Sequence, residues 1–451
     1  MDSSTLTMSH NEHLNSSSLK KFTINGLFGF KNVEISFEKQ SIILIAENGA
    51  GKTTILNALY YSISRNFSKL KTIDFDSIIL DFESAASVTI KKDELVDDLI
   101  EFDILRKYLP TREILSLQRL SERGMSYHYI LRRAEMLLTR YTRFSRKEIS
   151  ELLESHFTND SGVIEKENST TRENANECVL YFPTYRRIEE DLNSLGYQND
   201  EFNESFLGKE ESLIQFGMND VVEKIDKITQ EIKDSALNLF SKVTGEMLTQ
   251  FVDNEAVTLE MRQSLKPDTL KIILGRVGEK NISKENRKKI EDLVNSERIN
   301  NSENNQLVYF LFKLLSLYEQ QKKKDESIKN FVEICNQYLS RKKLIYDEVN
   351  VKIYITQTEE DRKIKFKYLS SGEKQIISIF SKIYLEENAK DFIVLFDEPE
   401  LSLSIEWQRL LLPDILRSGK CKLLVAVTHS PFIFDNELNL NAHDLNSFVK
   451  E

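Results

Sequence analysis

Two spacings of apolar residues alternate along this chain. Residues 22–38 (FTINGLFGFKNVEISFE) alternate apolar and polar positions around a Gly-containing turn, which predicts two short strands. Residues 42–45 (IILI) are apolar without a break, pass into a small polar loop, and are followed by an amphipathic run, so strand, loop and helix are expected in that order. Residues 75–82 (FDSIILDF) and 87–92 (SVTIKK) predict further strands. From 93 to about 157 the pattern turns helical and charged, and a polar stretch to 177 predicts an exposed loop. Residues 178–182 (CVLYF) predict a buried strand with a conspicuous Pro-Thr-Tyr-Arg-Arg exit.

Helical spacing dominates 204–345. Val221, Ile225, Ile228 and Ile232 recur at intervals of four, three and four, the seam of a short coiled coil, and a helical hairpin packed on itself is expected there rather than a long rod. Residues 307–324 are apolar on nearly all sides at first and predict a core helix. Strand patterns return from 347. The organisation expected is a polar tail (1–17), an N-terminal α/β lobe (18–104), a helical insertion (105–176), a strand with its exit segment (177–203), a helical or coiled-coil insertion (204–345), and a C-terminal α/β lobe (346–451).

Composition narrows the picture. With 451 residues, 40% hydrophobic and 29% charged, the chain has ample core for a soluble globular protein. A formal charge of −11 argues against a protein that coats nucleic acid through an overall positive field, although a local basic contact stays open. Three widely spaced cysteines without a CxxC pair fit a reducing compartment, with free buried thiols expected. The N-terminal tail lacks an apolar signal region, and no apolar run approaches the ~20 residues of a bilayer span, so a cytoplasmic location and no membrane contact are expected.

Four segments carry candidate chemistry. The loop AENGAGKTT (46–54) departs from the phosphate-cradle pattern GxxxxGK[ST] only where Ala46 replaces Gly, a change tolerated if its φ is negative. Backbone N–H groups of Asn48, Gly49, Ala50, Gly51 and Thr54 would wrap the phosphates of ATP, Lys52 would reach the β- and γ-phosphates, and the Thr53 hydroxyl would ligate Mg²⁺. Residues 392–396 (FIVLF) should be a buried strand delivering Asp397 and Glu398 to the sheet edge where ligands bind. Asp397 would hold Mg²⁺ through water, and Glu398 would polarise the attacking water. Ser370, Ser371, Gly372 and Glu373 open a helix, which makes either a second anion-binding N-terminus or a capping box, and both readings can hold together. A last buried strand delivers Thr428, His429 and Ser430.

In this order the four segments resemble the ABC-type ATPases: Walker A, signature, Walker B with D-loop, and switch histidine. The resemblance implies an α/β ABC-ATPase head, a mixed sheet with flanking helices, split by large α-helical insertions. It implies a homodimer with composite ATP sites, in which Ser371 and Gly372 of one copy complete the site of another. The segment DEPELSLSIEWQ (397–408) resembles the subgroup related to SMC, RecF and OLD proteins, in which LSLH is usual; Ser404 stands in place of that histidine. YFPTYRRIE (181–189) resembles ATPases of bacterial phage-defence operons, nearest those of the PARIS system, with those of Septu as the near alternative.

The defence resemblance implies a sensor and scaffold holding a separate toprim-type nuclease effector, because only 22 residues follow His429. The rival is a DNA-sensing or repair-type ATPase. Within 123–147 lie seven basic residues (Arg123, Arg132, Arg133, Arg140, Arg143, Arg146, Lys147) and one acid, Glu135, with Tyr127, Tyr129, Tyr141 and Phe144 interleaved. Such a stretch suits an acidic or DNA-mimicking phage protein, or nucleic acid, while a solvated helix face is the plain structural alternative.

Overall fold

The computed structural model describes residues 16–47, 49–83, 87–95, 105–122, 127–142, 144, 148–149, 152–153, 177–184, 218–253, 257–278, 281–360, 362–386 and 391–450. In chain order the strands are β1 (Leu19–Leu27), β2 (Lys31–Ser36), β3 (Ser41–Ile45), β4 (Ser77–Phe82), β5 (Val88–Lys91), β6 (Cys178–Phe182), β7 (Lys342–Asp347), β8 (Lys352–Gln357), β9 (Lys363–Ile364), β10 (Phe392–Asp397), β11 (Cys421–Thr428), β12 (Ala442–Asp444) and β13 (Val449–Lys450). The helices used below are α1 (Lys52–Ile63), α2 (Thr111–Glu122), α3 (Tyr127–Tyr141), α4 (Asn219–Asp253), α5 (Pro267–Val277), α6 (Asn305–Tyr338), α7 (Ser371–Tyr384) and α8 (Ile405–Arg417). The α/β class, with helical insertions dividing the head, is the one expected.

The chain divides into two compact units, Met1–Phe216 with Asn388–Glu451, and Gly217–Glu387. The first contains two five-stranded sheets. One has the order β13-β2-β1-β4-β5 and every pairing in it is antiparallel. The predicted hairpin of residues 22–38 is its β1–β2 pair, with Phe22 opposite Ile35 and Ile24 opposite Val33, all buried.

The other sheet has the order β12-β3-β11-β10-β6, all parallel. Its central strands are covered on both faces, which is why β10 and β11 are apolar almost throughout instead of alternating. Helix α1 turns Ile55, Leu56, Leu59 and Ile63 inward, and one apolar cluster joins these residues to both sheets. Helices α2 and α3 pack with Leu105 and Leu109 of the preceding segment into a separate small core that includes Ile114, Leu117, Ile130, Ala134, Leu137 and Leu138.

The second unit is mostly helical. Val221, Ile225, Ile228 and Ile232 are all buried on α4, as their spacing predicts. Ion pairs Lys324–Glu231 (2.8 Å) and Lys313–Glu246 (3.5 Å) join α4 to α6, and their crossed order makes the two helices antiparallel. The apolar part of 307–324 is buried in the first half of α6, with Val308, Leu311, Leu314 and Leu315 inside, and Ile328, Phe331, Cys335 and Tyr338 bury its second half. A three-stranded sheet, β7-β8-β9, leads into α7. Among the described residues no helix is long and apolar enough to cross a membrane. Cys335 and Cys421 are buried free thiols as expected, whereas Cys178 is exposed at the start of β6. Burial pushes the Cys421 thiol up to about 12.

Candidate nucleotide site

The site is built on one edge of the parallel sheet. Ile45 pairs with Thr428 and Val427 with Asp397, so β3, β11 and β10 deliver their C-terminal ends side by side. In open α/β sheets this is the edge at which ligands bind. The loop leaving β3 turns through two glycines in the left-handed region, Gly49 at φ +85° and Gly51 at φ +90°. A Cβ is disfavoured at both. Ala46 is not among the positive-φ residues and is buried at 6% exposure, so its methyl replaces Gly without backbone strain. Ala50 closes the turn by donating its N–H to the Glu47 carbonyl (3.3 Å). Asn48 lies outside the described residues.

Gly51 N-caps α1 with no side-chain cap, and the first turn of the helix contains no acidic residue. Thr53 and Thr54 lie in that first turn. The free N–H groups and the positive end of the helix dipole therefore face no competing negative charge from α1 itself. Lys52 is buried, and its ammonium donates to the carbonyls of Ala46 (2.9 Å) and Glu47 (3.1 Å) and meets the His429 Nε2. Burial lowers the Lys52 pKa, and the charges of Glu398, Asp397 and Glu400 oppose that shift.

Asp397 is 1% exposed, and its Oδ2 accepts from two hydroxyls, Thr53 Oγ1 (2.9 Å) and Thr184 Oγ1 (2.8 Å). Its Oδ1 is buried without a hydrogen-bond partner. A carboxylate oxygen left in this state is costly unless a cation or donor faces it. Glu398 follows at φ +51°, a strained conformation for a non-glycine residue, with its N–H bound to the Val427 carbonyl (2.9 Å). Its Oε1 is 3.8 Å from His429 Nε2. Glu400 Oε1 in turn accepts from the backbone N–H groups of His429 (2.9 Å) and Ser430 (3.2 Å), tying the turn after β10 to the turn after β11.

Lys52, Thr53, Asp397, Glu398 and His429 are thus brought together. Ser370, Ser371, Gly372 and Glu373 belong to the second unit. There the capping box is formed: Ser370 Oγ accepts from the Glu373 N–H (3.3 Å), and Glu373 Oε2 accepts from the Ser370 N–H (2.7 Å). Lys342 also pairs with Glu373 at 2.6 Å. Ser404 likewise has a structural task, since its hydroxyl caps α8 by accepting from the Trp407 N–H (3.4 Å).

Two residues at this edge escaped the sequence reading. Glu400 was legible only as part of DEPE, and Thr184 only as part of a conspicuous exit from β6. Of the basic stretch, Arg132, Arg133 and Arg140 are exposed on α3, while Arg123, Arg143, Arg146 and Lys147 lie outside the described residues. Among the described residues, no three His, Cys, Asp or Glu side chains gather as a metal cluster.

A P-loop, a strand-end acid pair and a strand-end histidine on one parallel edge define a nucleotide-hydrolysing head. The chain belongs to the AAA ATPase domain family, whose model matches residues 18–434. Solved structures similar to this chain include two Smc heads. One is the Smc head domain with an extended coiled coil bound to the C-terminal domain of ScpA, from Pyrococcus furiosus. It is 14% identical over 92% of this chain and 90% of that one, with a TM-score of 0.35. The other is the SmcHead bound to the C-winged helix domain of ScpA, 14% identical over the same shares, with a TM-score of 0.34. No curated protein matches the sequence.

Proposed function

We propose that this ATPase is the sensor and scaffold subunit of a bacterial phage-defence system, holding a separate toxic effector inactive until infection. The observation that carries the ATPase part is the convergence of Lys52, Thr53, Asp397, Glu398 and His429 on one sheet edge. The residues fit a magnesium nucleotide: Asp397 Oδ1 is a buried, unpartnered hard oxygen, and the Thr53 hydroxyl is anchored beside it. When bound, Mg²⁺ neutralises charge on the phosphate oxygens. The chain's own work is to cradle phosphate with the loop N–H groups of Gly49, Gly51 and Thr54, the Ala50 N–H being engaged with the Glu47 carbonyl. Lys52 compensates phosphate charge, Glu398 accepts a proton from water, and His429 reads the occupancy of the site.

Ser371 and Gly372 open α7 and, as the resemblance to the ABC-type ATPases implies, complete the site of a second copy, so the working unit is at least a homodimer. The defence role rests on the likeness of YFPTYRRIE to the AriA ATPases of PARIS, with PtuA of Septu as the near alternative, and it makes the effector a toprim-type nuclease. The exposed arginines of α3 are the contact for an acidic or DNA-mimicking phage protein.

The test uses cells carrying the intact operon. Lys52→Ala should lose nucleotide binding and protection. Glu398→Gln should keep Mg-ATP, hydrolyse it about 10²-fold more slowly and retain the effector on purification. Equal nucleotide affinity in wild type and Lys52→Ala refutes the P-loop assignment. No protection by the wild-type operon, with no effector copurifying, refutes the defence role and leaves a DNA-sensing ATPase.

A further inference from the structure

Gln408 joins two turns that the sequence motifs treat separately. It sits in the first turn of α8, behind the cap formed by Ser404. Its Nε2 donates to the carbonyls of Leu403 (3.0 Å) and Glu400 (3.4 Å), both in the turn that follows β10. Its Oε1 accepts from the Ser430 hydroxyl (2.6 Å), in the turn that follows β11. Carbonyls can only accept, so they fix which end of the amide faces them and commit the Ser430 hydrogen to Gln408. The Ser430 oxygen accepts in turn from the Phe432 N–H (3.4 Å). The Ser430 N–H is shared between Glu400 Oε1 (3.2 Å) and Thr428 Oγ1 (3.0 Å).

The turn after β10 needs such a hold. Glu398 and Ser402 are both non-glycine residues at positive φ, +51° and +65°, and backbone of this kind persists where its surroundings over-determine it. Its own bonds, from the Leu401 N–H to the Glu398 carbonyl (3.3 Å) and from the Leu403 N–H to the Glu400 carbonyl (3.1 Å), do not reach the turn bearing His429. Glu400 and Gln408 do, the first from inside the strained turn and the second from a regular helix. Glu398 Oε1 and His429 Nε2 are 3.8 Å apart, too far for a hydrogen bond between them, so their spacing is set by the two turns that carry them. We propose that Gln408 is a positioning residue for ATP hydrolysis, forming with Ser430 a clasp that sets Glu398 against His429. This rests on the reading of the edge as an ATP-hydrolysing site. Both amide hydrogens of Gln408 are committed to carbonyls, so it acts through the turns and not as a donor to the nucleotide.

The experiment uses the full chain with Mg-ATP for hydrolysis and a non-hydrolysable ATP analogue for affinity. Gln408→Met keeps the length and loses the amide, Ser430→Ala removes the hydroxyl, and Ser430→Thr restores it. Each of the first two should lower kcat about 10-fold, because small misplacements of reacting groups are costly. KM and analogue affinity should stay within about 2-fold of wild type, since the phosphate cradle is untouched. Combined, Gln408→Met and Ser430→Ala should be no slower than either alone, because they break one clasp; independent losses would multiply to about 10²-fold. Ser430→Thr should recover most of the rate. A merely structural glutamine would lower thermal stability without a loss confined to kcat. Wild-type kcat in Gln408→Met, or losses that multiply in the double variant, overturns the proposal. Should Gln408→Met fail to fold, the Ser430 pair decides, and wild-type kcat in Ser430→Ala overturns it. A wild type that hydrolyses no ATP overturns the ATPase reading itself, a different failure from an active enzyme indifferent to Gln408.

Discussion

Removing Asp325 should loosen the second unit more than any surface change of equal size. Arg276 and Asp325 are 3% and 1% exposed at their side chains and form a bidentate pair at 2.8 and 2.7 Å. The guanidinium also donates from Nε to the Glu348 carbonyl (3.0 Å) and lies over the Tyr318 ring at 5.1 Å. Burial, reinforced by the Asp325 charge, raises the Tyr346 pKa, so the phenol stays protonated and donates to Asp325. The cluster joins α5, α6 and the β7–β8 hairpin. Asp325→Ala leaves a guanidinium in the interior without its counter-charge, which costs about 3–5 kcal/mol. That is a large part of a typical 5–15 kcal/mol total.

Because the chain has two units, the assay should resolve segments, and hydrogen exchange of peptides from 305–338 does so. At 1.4 kcal/mol per factor of ten, protection should fall roughly 10²- to 4 × 10³-fold. A double variant, Arg276→Met with Asp325→Leu, removes both charges and should recover most of the loss. Unchanged protection in Asp325→Ala refutes the argument. A double variant as damaged as the single would show that shape, not unpaired charge, decides this site.

Glu400→Gln should keep ATP affinity while slowing hydrolysis about 10-fold, because the carboxylate loses its charge toward the His429 and Ser430 N–H groups; single-turnover kinetics would show this. Burial alone would raise the Glu373 pKa, but bonds from Lys342 and Ser370 overcome it and hold the group below its ordinary value. Its stabilisation is therefore present above the ordinary glutamate range and lost as pH falls through the lower folded value. Glu373→Gln should abolish that acid-side decline in the stability of α7, read by hydrogen exchange against pH. Ser404→Ala should cost about 1 kcal/mol as a lost N-cap, read by chemical denaturation, with ATPase near wild type. A large loss of hydrolysis would give Ser404 a role in the site. Replacing Arg132, Arg133, Arg140 and Arg143 with Glu should abolish activation by phage and leave hydrolysis intact, and higher salt should weaken trigger binding to the wild type. A folded variant that still responds fully would leave those arginines as a solvated face.

What the sequence determined by itself is the local part. The run at 42–45, the loop to Thr54 and the helix after it are contiguous, so pattern, glycine placement and phosphate chemistry coincide within about a dozen residues. The burial of Val221, Ile225, Ile228 and Ile232 follows from helical spacing, and the apolar runs of β10 and β11 from burial on both faces. Tertiary structure decided everything that depends on register between distant strands. Asp397 is 344 residues from Thr53 and 213 from Thr184, and no local pattern states that all three share one oxygen. The task of Glu400 depends on two turns meeting, and the harmlessness of Ala46 on a φ that composition does not reveal. Ser404 shows the same division. As a departure from a motif it raised a question about chemistry, and only the start of α8 behind it shows that its oxygen is engaged with a backbone N–H. Covalent neighbours are written in the chain, whereas the sharing of a buried charge is settled by which strand ends the sheet places side by side.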